Sequence, residues 1–490
     1  MLREGLLIYA IPCGLAKPAR TICDCTTVMT IPNNDRMSPA EMRATIALAL
    51  VFALRMFGMF SILPVLALYA KGMPGGDSPF LIGIALGIDG LAQAFLQIPF
   101  GLLSDRYGRK RMIYIGLALF ALGSFMAAGA QDIYFVILGR LVQGTGAVAA
   151  AIIALTADLT REEHRSKGMA MIGMSIGATF GISLALGPML NHWIGVPGIF
   201  ALTGVLALAA MAVIRWIVPT PQVSRVHADA ETIPGQIGAV LVNTELQRLN
   251  FGIFSLHAAM RGLFVVIPLV LVTSLPVAEH WKVYLPIMAI SFFAAVPAII
   301  LAEKYGRMKA VFCGAVALLC LSTLLIAVFI HQFAGLVAGL FLFFLAFNLL
   351  EATLPSLVSK IAPADSKGTA IGVYNSFQFL GLFLGGALGG FLAQHVGHAA
   401  VFVFSTGLVL AWLLLALSMN TPPAVRTRLL HVGEIDTAHA SRLAGGLSGL
   451  AGVVEAVVIA SEGVAYLKVR TDAWDEAGAY VLIQQPGARA

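Results

Sequence analysis

The sequence predicts an all-α membrane protein of about twelve transmembrane helices in two bundles of six, followed by a small α+β domain. Three observations predict it. Of 490 residues, 59% are hydrophobic and 11% charged, and the mean hydropathy is +0.89, whereas a soluble globular chain carries about 25% charged residues. The charges collect in short segments between apolar runs of about 18–25 residues, the length a helix needs to cross hydrocarbon. A pattern also repeats. Ser166-Lys167-Gly168 with Ala170 returns as Ser366-Lys367-Gly368 with Ala370, and Asp105-Arg106-Tyr107-Gly108-Arg109 returns as Glu303-Lys304-Tyr305-Gly306-Arg307. Both matches fall at an offset of about 200 residues, as duplicated halves would.

In chain order the apolar runs place spans near Arg43–Tyr69, Ser78–Leu103, Met112–Ala130, Ile133–Thr156, Gly168–Asn191 and Pro197–Val218. The second six lie near Leu249–Val272, Val283–Ala302, Ala310–Ile330, Phe333–Val358, Gly368–Gln394 and Ala399–Leu417. Residues 37–218 are the N-terminal bundle and 249–420 the C-terminal one; the polar stretch 219–248, with Pro221, His227, Pro234 and Gly235, reads as a cytoplasmic linker. Loops after even-numbered spans carry Arg106, Arg109, Lys110, Arg111, Arg161, Arg165, Lys167, Arg225, Arg248, Lys304, Arg307, Lys309, Lys360 and Lys367, against Lys71 and Lys282 after odd-numbered ones. Cytoplasmic loops retain positive charge, so both termini are expected in the cytoplasm.

Residues 1–36 look different: a weak apolar stretch from Leu6 to Leu15, and Cys13, Cys23 and Cys25. A cleaved signal peptide does not suit a cytoplasmic N-terminus. The expectation is that translation starts at Met37, the upstream residues being a gene-model artefact or a disordered leader.

Several function classes drop out. The pI near 9.1 does not point to nucleic acid, because basic residues are spread over short loops with no patch of interleaved aromatics. Cys313 and Cys320 lie in an apolar run, so neither a metal site nor a disulfide framework is spelled out. No P-loop, nucleophile elbow or zinc helix motif is present, so neither enzyme chemistry nor a cofactor is expected.

Function rests instead on polar groups that lipid would not tolerate. Gly101-Leu102-Leu103-Ser104-Asp105-Arg106-Tyr107-Gly108-Arg109-Lys110 connects spans two and three. Its glycines allow a tight turn and close helix approach. Asp105 stands where a carboxylate can face the positive N-terminus of another helix, and Arg109 can reach an acid such as Asp158 at the end of span four. With Gly368, which opens span eleven, these residues form a candidate gate: an electrostatic latch that holds one conformation and releases in the other. The plainer alternative, a topogenic basic loop with a turn, accounts for the arginines but not for Asp105 between two glycines.

This decapeptide matches G-x-L-[AS]-D-R-x-G-R-K at every position and so resembles the signature loop of the major facilitator superfamily. Arg140-Leu141-Val142-Gln143-Gly144-Thr145-Gly146-Ala147 resembles that superfamily's R-x-x-Q-G-x-G-A motif in span four. Gly173, Gly177 and Gly181, then Gly187-Pro188, resemble its glycine-rich antiporter motif in span five, with Ser183, Asn191 and His192 where glycines are usual. The resemblance implies the major facilitator fold: two six-helix bundles rocking about a central cavity, the loop stabilising the outward-facing state, and Arg140 taking part in proton coupling. Leu54-Arg55-Met56-Phe57-Gly58-Met59-Phe60, Ala278-Glu279-His280-Trp281-Lys282-Val283-Tyr284 and Ala346-Phe347-Asn348-Leu349-Leu350-Glu351-Ala352 are similar to one bacterial branch of the superfamily. That similarity implies a proton-driven exporter of the inner membrane with a small cytoplasmic C-terminal domain.

An ionisable side chain near mid-bilayer costs at least a few kcal/mol, which makes Arg55, Asp89, Arg140, His257, Arg261 and Glu351 candidates for the proton and substrate pathway. Asp89, Gln93 and Gln97 recur at four-residue spacing, one polar stripe on span two. A carboxylate's proton affinity rises on burial and falls beside an arginine, so contact that changes with conformation would turn rocking into proton release at Asp89. Asn348 and Glu351 share a face of span ten, with Glu351 a second proton carrier, and Arg140 and Gln143 share a face likewise. Each has a blander alternative: a permanent Asp–Arg pair that fixes packing, an arginine bonding helix-end carbonyls, or a histidine at 257 bonded within its bundle in place of a proton shuttle. Arg55 would pair with an acid or bind an anionic group. Gly173, Gly177 and Gly181, and Gly381, Gly385 and Gly389 in span eleven, follow the small-xxx-small spacing that lets helix backbones approach.

From Arg426 the pattern becomes a strand Leu429–Val432, a helix Thr437–Ser448, strands Val453–Ala460 and Val464–Val469 and a helix Ala473–Ile483, a β-α-β-β-α order that suggests a separate ferredoxin-like domain over residues 426–490. It resembles the heavy-metal-associated fold but lacks cysteine near Gly433–His439, so metal binding is not expected. Ligand sensing, self-association and an inert appendage stay open. The whole reads as a secondary transporter moving a small solute or drug against protons across the lipid bilayer. A membrane-embedded solute sensor and a solute:proton symporter are alternatives on the same fold.

Overall fold

The computed structural model describes residues 37–221, 230–421, 425–433, 435–470 and 473–484. The expectations for residues 1–36, Arg225 and His227 lie outside them. In the N-terminal half, α1 (Pro39–Ser61) and α2 (Leu63–Ala70) form one crossing, α3 (Pro79–Tyr107) and α4 (Arg109–Ala128) two more, α5 (Ile133–Thr145) and α6 (Ala149–Leu159) the fourth, and α7 (Glu162–Trp216) the last two. In the connector lies α8 (Ile237–Val242); α9 (Thr244–Leu271), α10 (Trp281–Lys304), α11 (Met308–Val328), α12 (Phe333–Ile361), α13 (Lys367–His395) and α14 (His398–Leu417) make the C-terminal half.

Eleven stretches of the described residues are long and apolar enough to cross a membrane, and one of them, Lys167–Trp216, has 50 residues. That is about 75 Å of helix, more than twice the hydrocarbon thickness. Gly195, at φ 67° and ψ 173°, breaks it into the two crossings expected there, in a conformation that glycine adopts without strain.

Capping sets several ends. Ser38 and Glu41 form a capping box at α1. Asn243 caps α9 by accepting from the amides of Glu245 and Leu246, so span seven begins at Thr244 and not near Leu249. Two spans read as continuous are interrupted. Pro64, lacking an N–H, separates α1 from α2 at Ile62. Span four breaks between Gly146 and Val148, a stretch tolerated at membrane depth because Ala147 and Val148 are wholly enclosed by protein.

The N-terminal half has its own core around Leu48, Val51, Leu117, Phe120, Ile152 and Ala207. The larger core, around Leu256, Leu263, Phe264, Phe343 and Phe344, also takes in Leu63, Leu66, Ile82 and Leu86 of α2 and α3, so the halves share apolar packing at that end. Elsewhere Ile46, Leu122, Leu208, Phe293 and Leu414 stay exposed, as a lipid-facing surface requires.

Glycines bring backbones together at the crossings. An added Cβ on Gly87 of α3 would come 2.8 Å from the carbonyl oxygen of Leu382 in α13, and Gly83 and Gly90 press likewise on Gly386 and Phe379. Gly381 and Gly385 sit on Phe254 and Ala258 of α9, and Gly187, just before Pro188, sits on the Ser61 carbonyl. Span five corrects the packing expectation. Gly173 and Gly177 are exposed, with nothing within 4 Å of an added Cβ. They share a face with Gly181, whose added Cβ would meet Met288 of α10 at 3.6 Å, so of the three glycines only Gly181 stands against another helix.

The tail comprises β1 (Val425–His431), α15 (Thr437–Ser448), β2 (Val453–Ile459), β3 (Val464–Arg470) and α16 (Glu476–Gln484), the expected order, with an antiparallel sheet ordered β1-β3-β2. Along β3, Ala465, Leu467 and Val469 pack with Leu443, Leu447 and Ala479 of the helices. The alternate residues Val464 and Tyr466 cluster with Ala364. Lys468 donates to the carbonyl of Ala362 at 2.5 Å, and Glu455 accepts from the amide of Ala364 at 3.0 Å. The second sheet face therefore packs on the turn between α12 and α13, where the sequence suggested a separate module.

Candidate functional site

The polar stripe of α3 organises the centre. Asp89, without exposed surface, accepts from Arg140 of α5 at 2.8 Å and lies 3.4 Å from Arg261 of α9, so one carboxylate is shared by a cation from each half. Arg140 also donates to the carbonyls of Ala85 and Leu86 and to Gln143 at 3.3 Å, and Gln143 donates to Ser124 at 2.9 Å. Gly144 lets α5 approach, since a Cβ there would stand 2.7 Å from the Cα of Asp89. One turn further on, Gln93 accepts from Arg55 at 2.8 Å. Arg55 reaches the Gly146 carbonyl at 3.1 Å, within the span-four break, with its guanidinium 5.2 Å from the Phe120 ring centre.

A second polar group lies in the C-terminal half. The Nε2 of His257 is 2.8 Å from the side-chain nitrogen of Gln378 and 3.4 Å from a carboxylate oxygen of Glu351, while its Nδ1 is 3.2 Å from the Ile253 carbonyl. Asn348, on the same face of α12 as Glu351, donates to Ser291 of α10 at 3.1 Å.

The candidate gate lies at the far end of α3. Gly108, at φ 96°, ends that helix, and Arg109 folds back as a buried cation paired with Asp105, with Asp158 at 3.3 Å and with Glu231 at 2.5 Å; it also donates to Ser104 at 3.0 Å. Gly101 makes no turn. It lies inside the helix, where a Cβ would meet Ala150 at 3.3 Å, so it serves close approach alone. Arg106 stays apart from the cluster, exposed, 5.6 Å from the ring centre of Tyr107. In the duplicated loop Glu303 takes the place of Asp105 and pairs with Lys360 at 2.7 Å.

Glu231 was missed because an acid in a polar connector has no periodicity to mark it, and in the sequence Asp229, two positions earlier, looks the same. The segment after it is bonded to the C-terminal half: the Ile233 amide donates to Thr369 at 2.9 Å, and Gln236 donates to the Asp365 carbonyl at 3.2 Å. A cavity of about 30 Å³, lined by Gln97, Gly101, Asp105, Arg109, Glu231 and Gly368 among others, remains between the halves here.

A family model described as the Major Facilitator Superfamily matches residues 48–386 and 249–474. The chain belongs to the major facilitator superfamily. It is 44% identical over 438 residues to the inner membrane transport protein YajR of Escherichia coli (strain K12), covering 89% of this chain and 96% of that protein. An uncharacterized transporter of Buchnera aphidicola subsp. Acyrthosiphon pisum is 33% identical across 71% of this chain and 90% of its own length. Among solved structures, the human organic anion transporter MFSD10 aligns with TM-score 0.60 at 20% identity, over 77% of this chain and all of that one (100%). The nucleoside transporter NupG aligns with TM-score 0.61 at 14% identity, over 76% of this chain and 99% of that one. Those two share the fold. The sequence relatives are named as transporters, and this facilitator is a membrane transporter, not an enzyme.

Proposed function

We propose that this chain exports a small solute or drug in exchange for protons, its two halves rocking in alternating access, with Asp89 carrying the proton. The supporting observation is that Asp89 is shared by Arg140 of its own half and Arg261 of the other. Rocking the halves changes the Arg261 contact while Arg140 travels with Asp89, and a carboxylate gains proton affinity when a cation leaves it. Glu351, beside His257, is the second carrier, and the Arg109 cluster with Gly368 is the latch of the outward-facing state. The basic loops support a cytoplasmic position for both termini, with the tail domain steadying the turn that precedes Gly368.

The test is flux in proteoliposomes under an imposed pH gradient, over a panel of small organic acids, bases and dyes, for the wild type, Asp89→Asn, Glu351→Gln and the double variant. Gradient-driven flux should be present in the wild type and lost with Asp89→Asn. Unchanged flux in all three variants removes both carboxylates from coupling; absence of solute and proton movement in every condition favours the sensor.

A further inference from the structure

Arg55, Arg140 and Arg261 surround one stretch of α3, and none of them has exposed surface. Even with Glu351 counted beside Asp89, this region holds three guanidinium groups against two carboxylates among the described residues. Such an excess of buried cations at membrane depth is unfavourable unless an anion completes it. Hydrogen bonding locates the deficit. Arg140 has a partner for all three nitrogens. In Arg55 and Arg261, Nε and Nη1 are buried and have no hydrogen-bond partner among the described residues, an omission proteins rarely leave in place. The two arginines come from opposite halves and reach the same stripe one turn apart, Arg55 at Gln93 and Arg261 at Asp89.

We propose that the transported solute is an organic anion, a carboxylate or phosphate ester, gripped between Arg55 and Arg261. The inference rests on the transport reading above and supplies its substrate class. Oxygens of a carboxylate or phosphate can accept from the Nε–H and Nη1–H groups that each guanidinium leaves unused, in charge-assisted bonds. A solute held by one arginine from each half would bind most tightly when the halves close on it, and a cationic drug would meet net repulsion.

The experiment is thermal unfolding of the purified full chain in a neutral detergent at constant ionic strength. The probes are benzoate, succinate, phenyl phosphate, tetraphenylphosphonium and chloride, each titrated separately. At least one of the organic anions should raise the midpoint saturably, and Arg55→Gln and Arg261→Gln should each weaken that effect by about tenfold or more. Arg55→Lys, which keeps the charge but not the Nε–H and Nη1–H donors, covers the case in which a glutamine variant does not fold and should also weaken binding. Three outcomes overturn the proposal: no saturable shift with any organic anion, a shift that survives in the folded arginine variants, or a shift that chloride or tetraphenylphosphonium reproduces. Adding phosphatidylglycerol tests the other source of phosphate; if the lipid reproduces the arginine-dependent shift and blocks the soluble probes, the bound group is a headgroup and the solute reading falls. Gradient-driven flux of a cation without anion binding would sink this inference alone, whereas loss of all flux would sink the transport reading.

Discussion

Arg109 and Glu231, 122 positions apart, meet at 2.5 Å, so the connector between the halves is bonded into the loop that joins α3 to α4. Two residues beyond Glu231, the Ile233 amide is held by Thr369 at the start of α13. The proposed latch is thus a three-part joint of N-terminal half, connector and C-terminal half, and its central cation serves Asp105, Asp158 and Glu231.

Arg109→Ala should therefore destabilise this joint far more than Glu231→Gln. The first removes the cation shared by three carboxylates, and breaking a buried pair costs about 3–5 kcal/mol; the second keeps two of the three pairs and should cost about 1–3 kcal/mol. A cysteine placed at Asn375, which lines the small cavity beside this joint, should react faster with an impermeant maleimide in both variants. Equal stability loss, or unchanged labelling in Glu231→Gln, would remove the connector from the latch.

The two cations on Asp89 should behave differently when removed. Arg140 is bonded to Asp89, two backbone carbonyls and Gln143, so Arg140→Gln strips a buried network and should lower stability by about 3–5 kcal/mol. Arg261 makes one contact, at 3.4 Å, and has two unbonded nitrogens among the described residues. Its replacement by glutamine should shift stability by no more than about 1 kcal/mol while abolishing the pH-gradient dependence of transport. Denaturation midpoints measured beside flux separate the two effects; a large stability loss in Arg261→Gln would mark that residue as structural.

These contrasts also show where sequence pattern ends. Spans are legible because an apolar run of bilayer length is a signal of length and composition, and β3 is legible because its residues alternate between two faces. Hydropathy does not see a backbone hydrogen bond, so the breaks at Ile62 and Gly146 leave no trace in it, although the second supplies the carbonyl that Arg55 uses. Four-residue spacing defines a helix face and not what stands opposite: it grouped Gly173 and Gly177 with Gly181, yet only Gly181 meets α10. The same test on span two would have found Gly83, Gly87 and Gly90, which follow i, i+4, i+7 and form the close seam with α13. Asp89, Arg140 and Arg261 stand out because charge in an apolar run is conspicuous, but their convergence depends on tertiary packing.

Along that seam, Gly87→Val should be poorly tolerated, because its Cβ would stand 2.8 Å from a carbonyl oxygen and 2.9 Å from a Cα of α13. Both are backbone atoms that cannot turn aside, so a loss of about 1–3 kcal/mol or a failure to assemble is expected. Gly173→Ala adds its methyl to open space and should be neutral or stabilising by up to about 1 kcal/mol, since alanine favours the helix. Thermal midpoints of the two purified variants check the contrast; similar losses in both would show that helix approach at α3–α13 is not what the glycines provide.

The tail offers the last test, through the turn between α12 and α13. Glu455 accepts from the Ala364 amide at 3.0 Å and pairs with Lys468 at 3.0 Å, and Lys468 in turn donates to the Ala362 carbonyl. Lys468 is buried, so Lys468→Ala leaves the Ala362 carbonyl without that donor and should cost about 1–3 kcal/mol at the docking face. Because Thr369 lies just beyond this turn and anchors the connector, loosening it should raise hydrogen exchange at Ala364 and at Ile233 together, with little change within α15. Exchange that rises throughout the tail domain, with Ile233 unaltered, would show that Lys468 stabilises the sheet itself and does not brace the turn that leads into the latch.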